Sequence, residues 1–354
     1  MNIIFYTDRA YFTGRDLEIK GIGGSEAAVI HVSRELVKLG HSVQVFCETQ
    51  QDHLADGVVY HPISTYPMYK SNCDIFVSGR SAYVLAKEEI KADKIIFWSE
   101  DDVMEGAIEH LCSNSSLANK VDCLVAVSDY ARSSLIKEIL IPKDKIFVIR
   151  NGYYPKFICE ANKIPNRFVY TSTPYRGLDV LLEVWDSIYK RVPNAELYIF
   201  TGMSLYGQPN DSSNFLYNRA RRKKGIVLHE PICQRKLYDF MSTCSIMLYP
   251  NHYVEASCMC VIEALANKIP IITSDLGALP ELVKPGKNGE LVKGHARHPD
   301  YQKEFIEKTL KVINDLDSYN SFDSIIKDYT WENRAKEWEN LFKNLLSKNG
   351  VNYG

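Results

Sequence analysis

The sequence lacks any hydrophobic run near the ~20 residues that a membrane-spanning helix needs. Its N-terminal segment, MNIIFYTDRAYF, has no basic stretch followed by an apolar one, so it does not resemble a secretory leader. An excess of one charge is lacking too, because 42 Lys and Arg face 44 Asp and Glu. We therefore expect no nucleic acid as a partner. Peripheral membrane contact through a small surface patch stays compatible with the sequence.

Cysteine pairs with the spacing of zinc or redox motifs are also missing. The nine cysteines are scattered and odd in number, and none forms a Cys-x-x-Cys pair, which argues against a disulfide framework. Asp315 and Asp317 have Asp-x-Asp spacing, but they come after a predicted helix and not after a strand. We therefore expect reduced thiols, a cytoplasmic protein and no metal site.

The chain does contain what two globular domains require. It has 354 residues, of which 45% are apolar and 24% charged, and a domain takes roughly 150 residues. In the first part, a helix with Val29, Val32 and Leu36 on one face ends at Gly40, where a left-handed cap is expected. Short apolar strands flank this helix and continue after it: Asn2–Thr7, Ser42–Cys47, Ile75–Ser78, Lys94–Trp98, Cys123–Val127 and Lys145–Ile149. Strand, helix and strand in this order predict a parallel crossover.

A second alternation begins after a segment at 150–165 that is rich in Gly, Pro, Asn and Tyr, as linkers are. Its predicted strands are Arg167–Ser172, Glu196–Phe200, Ile226–Leu228, Ile246–Tyr249 and Ile269–Thr273. We predict an α/β protein with two doubly wound, Rossmann-like domains, residues 1–150 and 151–331, and a ligand site in the cleft between them.

The densest functional signal lies between Tyr249 and Val292. A predicted strand ends at Tyr249, the next loop holds Glu255, and a helix that begins near Cys258 carries Glu263. The carboxyl end of a parallel strand is where doubly wound folds bind ligands. The free amides at a helix start favour a phosphate. A carboxylate before the helix can accept from sugar hydroxyls, and one on the helix can hold a ribose diol.

This segment resembles the Glu-x7-Glu signature of retaining glycosyltransferases with the GT-B fold, family 4, the glycosyl transferases group 1. Residues 275–281 and 286–289 also match the next conserved-type segments of that family. The resemblance covers nearly the full length and is strongest from residue 167 onward. It implies metal-independent transfer, with retention, of a hexosyl group from a nucleotide-diphosphate sugar to a hydroxyl of a glycan, lipid or other acceptor. It also implies that the terminal helix, 332–348, packs back on the first domain.

The resemblance implies a role for each residue of the donor site. Glu255 contacts the donor sugar, Arg176 contacts the diphosphate, and these two are the catalytic candidates. Glu263 holds the ribose. The sequence reads Ala-Ser-Cys at 256–258 where the family commonly has Pro-Phe-Gly. The remaining donor-binding candidates are Gly23, Gly24, Ser25, Ser172, Thr173, Pro231, Ile232, Ser257, Cys258, Met259 and Cys260. No cofactor is expected, because the nucleotide sugar is a substrate, and we favour a UDP-sugar over a GDP-sugar on base rate alone.

The acceptor side is less specific. Where relatives often have a histidine, residues 97–102 read Phe-Trp-Ser-Glu-Asp-Asp. Glu100 and Asp101 could orient an acceptor hydroxyl, or they could be an acidic cluster at a helix start. Glu26 and Arg80 are further acceptor-side candidates. The basic run at 219–224 could touch an anionic acceptor or a membrane, or it could be a solvated helix face.

Three other functions remain open. A nucleotide-sugar epimerase on the same architecture would need its own acid–base groups. An NAD-dependent dehydrogenase would need Gly-x-Gly-x-x-Gly directly after the first strand, and Gly23-Gly24 comes too late for that. A non-catalytic sugar-nucleotide or glycan-binding protein could retain the same residues.

Overall fold

The computed structural model describes residues 1–69, 72–101, 108–207, 209 and 213–347. The chain divides into two compact units. The N-terminal unit contains Met1–Arg15, Gly24–Gly152 and the segment from Trp331 onward. The C-terminal unit contains Tyr153–Thr330 together with Asp16–Gly23, a segment that the sequence placed in the first predicted domain.

The N-terminal unit is built on an eight-stranded sheet in the order β3-β4-β2-β1-β5-β6-β7-β8. All its pairs are parallel except β3 with β4. The strands are β1 Asn2–Tyr11, β2 Ser42–Glu48, β3 His53–Ala55, β4 Val58–Pro62, β5 Cys73–Gly79, β6 Ala92–Ser99, β7 Cys123–Ala126 and β8 Ile146–Val148. The predicted parallel sheet is confirmed, but the prediction missed β3 and β4 and ended β1 at Thr7 instead of Tyr11.

The helices of this unit are α2 Gly24–Lys38, α3 Ala82–Lys87, α4 Glu109–Ser113, α5 Ser115–Ala118, α6 Asp129–Glu138 and α14 Trp331–Ser347. Helix α2 ends as expected, with Gly40 at a φ of 88°. Helix α14 packs on this unit through its tryptophans. Trp331 stacks on His31 at 5.1 Å between ring centroids, and Trp338 lies edge-on to Trp98 at 5.1 Å.

The C-terminal unit is built on a six-stranded parallel sheet in the order β11-β10-β9-β12-β13-β14. Its strands are β9 Arg167–Thr171, β10 Glu196–Phe200, β11 Ile226–His229, β12 Ile246–Tyr249, β13 Ile271–Ser274 and β14 Gly289–Val292. Its helices are α1 Asp16–Ile19, α7 Leu178–Tyr189, α8 Asn214–Arg221, α9 Gln234–Met241, α10 Met259–Ala266, α11 Leu279–Leu282, α12 Pro299–Asn314 and α13 Asp323–Ile326. The prediction missed β14.

Apolar side chains fill the space between the second sheet and its helices. Trp185 of α7 is completely buried and lies edge-on to Phe168 of β9, with ring centroids 5.8 Å apart. Every residue of β12 is buried, which is typical of a strand covered on both faces. This packing fixes the strand ends from which the candidate site is built.

No helix in the part of the chain that the structure describes is long and apolar enough to cross a membrane.

Candidate functional site

The C-terminal sheet has a topological switch point between β9 and β12. From β9 the chain continues outward to β10 and β11, and from β12 it continues the other way to β13 and β14. In doubly wound sheets a ligand binds at the carboxyl ends of the two strands that flank this point. Here those ends lead into residues 172–177 and 250–258, which contain both catalytic candidates.

Arg176 and Glu255, which lie 79 residues apart in sequence, are in direct contact at this switch point. Arg176 Nη1 donates to the two carboxylate oxygens of Glu255 at 3.2 and 3.3 Å. The Tyr249 hydroxyl donates to Glu255 Oε1 at 2.5 Å. The Arg176 guanidinium also lies over the ring of Tyr253, 4.6 Å from its centroid, in a cation–π arrangement. Neither tyrosine was predicted from the sequence as part of the site.

The pair of charges is deeply buried. Glu255 is only 2% exposed, and burial raises the pKa of its carboxyl, while Arg176 and the hydrogen bonds from Tyr249 and Cys258 oppose that rise. The Nε of Arg176 is buried without a hydrogen-bond partner. Buried donors normally have partners, so this atom is a candidate contact for an anionic ligand.

Hydroxyl groups line the strand end beside Arg176. The Oγ1 atoms of Thr171 and Thr173 are buried without a hydrogen-bond partner. Ser172 Oγ lies 3.4 Å from the Tyr249 hydroxyl. These groups stand where many relatives carry a second arginine, and each hydroxyl can donate to a phosphate oxygen.

Helix α10 begins directly after the loop that holds Glu255. Its N-cap residue is Cys258, whose carbonyl accepts from Ile262 N at 3.1 Å. The amides of Met259 and Cys260, in the first turn, therefore have no intrahelical acceptor. The Sγ atoms of Cys258 and Cys260 lie 3.4 Å apart. The candidates from Ser257 to Cys260 thus lie at a helix start that favours an anion.

Glu263 lies one turn further along α10. It is 6% exposed, and Gln234 Nε2 donates to its Oε1 at 2.6 Å. Burial raises the pKa of Glu263 to about 7, against the lowering effect of that hydrogen bond. The carboxyl of Glu263 therefore titrates near neutral pH.

Pro231 and Ile232 come after the end of β11. A Cβ built on Gly21 would lie 2.6 Å from Pro231 Cβ, so the backbone at Gly21 lies directly against this turn. Of the predicted Gly-rich loop, Gly23 groups with the C-terminal unit. Gly24 and Ser25 are the first residues of α2 in the N-terminal unit.

The loop before α10 is held by backbone contacts that leave no room for a side chain. Gly177, with a φ of 102°, would place a Cβ 2.1 Å from the carbonyl oxygen of Pro250. Gly277, with a φ of 59°, would place one 2.5 Å from the carbonyl oxygen of Glu255. Asp179 accepts from His252 at 3.1 Å when the ring nitrogen carries the proton. These contacts fix the position of Glu255.

Gly177→Ala is therefore expected to lower the free energy of unfolding by about 2–4 kcal/mol, since backbone strain and a clash with the main chain of Pro250 add together. Gly294→Ala is the matched control, because Gly294 has a similar φ of 95° but nothing within 4 Å of the added Cβ. It should cost about 1 kcal/mol. Urea unfolding of both variants tests this, and equal costs would contradict the close contact at Pro250.

The acceptor-side candidates come together in the N-terminal unit. Arg80 forms a bidentate pair with Asp101, with Nε and Nη2 each 2.7 Å from a carboxylate oxygen, and its Nη1 donates to Ser25 Oγ at 3.2 Å. Burial raises the pKa of Glu26, and Arg80 opposes this rise. Burial raises the pKa of Glu100 to about 8, and its hydrogen bond from Asn151 and the charge of Arg80 oppose the rise. Asp102, named with this stretch, lies outside the described residues.

Among the residues that the structure describes, no three His, Cys, Asp or Glu side chains are grouped as a metal site would require. All nine cysteines lie within the described ranges and are free thiols.

A family model described as "Glycosyl transferases group 1" matches residues 166–327. The chain is 30% identical to a probable sucrose-phosphate synthase of Thermosipho melanesiensis over 216 residues, which cover 57% of this chain and 48% of that protein. The chain thus spans about half the length of this curated relative.

Two solved structures are similar over almost the whole chain. Sucrose-phosphate synthase from Thermosynechococcus elongatus has a TM-score of 0.75 at 13% identity, covering 98% of this chain and 99% of that one. Anabaena HepE in complex with UDP-glucose has a TM-score of 0.72 at 13% identity, covering 97% and 100%. The chain therefore has the GT-B fold, as predicted, and through residues 166–327 it belongs to the glycosyl transferases group 1.

Proposed function

We propose that this protein is a retaining glycosyltransferase that moves a hexosyl group from a nucleoside-diphosphate sugar to an acceptor hydroxyl. The observation that carries the proposal is the array at the β9–β12 switch point. There, the buried Arg176–Glu255 pair, the partnerless Arg176 Nε and threonine hydroxyls, and the start of α10 lie at adjacent strand ends. Donors without partners around a fixed cation suit a diphosphate.

In the proposed reaction the bond between the anomeric carbon and the diphosphate oxygen breaks. The acceptor oxygen attacks from the same face, and its proton passes to the departing phosphate oxygen. Arg176 and the first amides of α10 stabilise the negative charge that develops on the diphosphate. Glu255 positions the donor sugar and holds Arg176. With this charge stabilised by protein groups, we propose that transfer needs no metal ion.

The nucleoside is held further along the same sheet edge in this proposal. Glu263 accepts hydrogen bonds from the two ribose hydroxyls, and the turn at Pro231 and Ile232 lies against the base. We propose UDP-glucose as the first donor to test, because it is the ligand of the HepE structure that this chain resembles in fold.

The proposal is tested by thermal-shift titration with UDP-glucose and GDP-glucose, and then by incubation with a mixture of sugar acceptors in the presence of EDTA. A donor that binds the folded state raises the melting temperature by mass action. We expect a shift with UDP-glucose and a product whose anomeric configuration, measured by NMR, is that of the donor. An inverted product, or an epimerised nucleotide sugar formed without acceptor, would overturn the assignment.

A further inference from the structure

The N-terminal sheet has its own switch point, between β1 and β5. From β1 the chain leads to β2 and β4 on one side, and β5 to β8 lie on the other. Six residues lie at or near this edge: Ser25, Glu26, Arg80, Glu100, Asp101 and Asn151. We call these six residues the acceptor edge. By the rule that places the donor site at the β9–β12 switch point, a ligand is expected here too.

The acceptor edge has hydrogen-bond acceptors that lack donors. Glu26 Oε2, Glu100 Oε1 and Asn151 Oδ1 are all buried without a partner. Glu26 is 3% exposed and Asn151 is 1% exposed. Asn151 Nδ2 donates to Glu100 Oε2 at 3.1 Å, so the free oxygens of these two side chains belong to one connected pair. Buried acceptors of this kind normally receive a hydrogen bond.

The guanidinium of the acceptor edge is already engaged. Arg80 gives two of its donor nitrogens to Asp101 and the third to Ser25. Arg80 itself has a φ of 58°, unusual for a residue with a side chain, and its carbonyl accepts from Arg9 at 3.1 Å. Strained backbone of this kind is concentrated at functional sites. The arginine therefore serves to hold the carboxylates and is not free to bind an anion.

The contrast with the donor site is chemical. There, the partnerless atoms near the Arg176–Glu255 pair include Arg176 Nε and two threonine hydroxyls, all able to donate. At the acceptor edge they are carboxylate and amide oxygens. Three carboxyl groups around one guanidinium also repel negative charge. Burial raises the pKa of Glu26 and Glu100, so each has reason to gain a donor.

We propose that the acceptor edge binds a hydrogen-bond-donating, non-anionic part of the acceptor, such as a neutral polyol or an amino sugar, and excludes a phosphorylated sugar. This inference rests on the proposed function and adds the chemical class of the acceptor. Hydroxyl and ammonium groups share the required chemistry, since both donate to carboxylate oxygens.

The test uses three probes on the full chain: methyl α-D-glucoside, methyl α-D-glucosaminide and glucose 6-phosphate. Their dissociation constants are measured by ligand-observed NMR with and without UDP. We expect the first two to bind at least tenfold more tightly than the phosphate ester. Preference for the glucosaminide over the glucoside identifies recognition of the ammonium, and equal affinity identifies recognition of hydroxyls.

Two isosteric variants, Glu26→Gln and Glu100→Gln, locate the selectivity. Each is expected to reduce discrimination against glucose 6-phosphate by threefold or more, since an amide no longer repels the phosphate. Glu109→Gln, at an exposed glutamate of the same unit, should change nothing. The amide resembles the protonated carboxyl that burial favours, so we expect both variants to fold, and their melting temperatures are measured alongside.

The proposal is overturned if glucose 6-phosphate binds as tightly as the neutral sugars, if no probe binds, or if the variants leave the selectivity unchanged. UDP-glucose affinity is measured separately on the same samples. Loss of UDP-glucose binding with intact probe selectivity would count against the proposed function alone. Intact UDP-glucose binding with unselective probes would count against the acceptor edge alone.

Discussion

Replacing Arg176 by methionine is expected to lower kcat for glycosyl transfer about 10²–10³-fold, as removal of one preorganised charge-stabilising donor does in other enzymes. Arg176 is the cation in contact with Glu255, and its Nε is a partnerless donor at the β9–β12 switch point. Methionine keeps much of the side chain's length and none of its charge. The measurement is steady-state transfer from UDP-glucose to the acceptor that the proposed assay identifies.

The same substitution is expected to destabilise the fold. It leaves Glu255, which is 2% exposed, without its cation, and breaking a buried pair on one side costs about 3–5 kcal/mol. Uptake of a proton by Glu255 limits that cost. Lost activity in the single variant could therefore come from lost structure, so a second variant is needed to separate the two.

Arg176→Met combined with Glu255→Gln separates them. The double variant has no unpaired charge, and the new amide oxygen at position 255 can still accept from Tyr249, whose hydroxyl lies 2.5 Å from Glu255 Oε1 in the native protein. We expect its free energy of unfolding in urea to recover most of the loss, while kcat stays low. If activity returned together with stability, Arg176 would have only a structural role.

Arg167→Met is the matched control in the same unit. Arg167 also pairs with a glutamate, Glu196, at 3.4 Å, and its guanidinium lies over the ring of Tyr198 at 5.0 Å. It therefore loses the same kinds of contact at the opposite, amino-terminal end of β9. Transfer should proceed at the native rate in this variant.

The donor-site residues could be found from sequence because their geometry is local. A strand, a short loop and a helix place Glu255 and Glu263 on one edge, and their spacing alone identifies them. Arg176 was found in the same way, from the turn before α7. The pairing of β9 with β12 brings Arg176 to Glu255, and the predicted parallel sheet already implied that strand ends of this kind share one edge.

Other contacts could not be predicted from the sequence because they depend on tertiary position. Tyr249 ends a strand that is buried throughout, so it looks like a core residue until its hydroxyl is seen 2.5 Å from Glu255. Gln234 reaches Glu263 across 29 residues, and Asn151 reaches Glu100 across 51. The β3–β4 pair was missed because β3 is a three-residue antiparallel edge strand, too short for a recognisable alternation.

UDP-glucose is expected to bind about 100-fold more weakly at pH 5 than at pH 8, because affinity that requires an ionised group falls about tenfold per pH unit below its pKa. The group is Glu263, whose pKa burial raises to about 7. If the ionised carboxylate is what accepts from the ribose hydroxyls, binding must displace a proton below pH 7. Isothermal calorimetry in buffers of different ionisation enthalpy measures that proton release directly.

The diphosphate of UDP-glucose carries no group that titrates in this range, so the pH dependence must come from the protein. Glu263→Gln should bind with nearly constant affinity from pH 5 to pH 8. The pKa of Glu255 is also raised by burial, but Glu255 is present in both proteins, so comparing them isolates Glu263. An unchanged pH dependence in Glu263→Gln would show that another group controls binding.

The stability of the free protein must change in the opposite direction. Because the folded-state pKa of Glu263 lies above its ordinary value of 4.5, its contribution to stability is complete below pH 4.5 and is lost as pH rises through 7. The loss amounts to about 3 kcal/mol at most. Glu263→Gln should therefore unfold at higher urea than the native protein at pH 8, and at similar urea at pH 4.5. A carboxyl that is protonated and stabilising in the free protein, yet ionised when donor is bound, links donor binding to pH near neutrality.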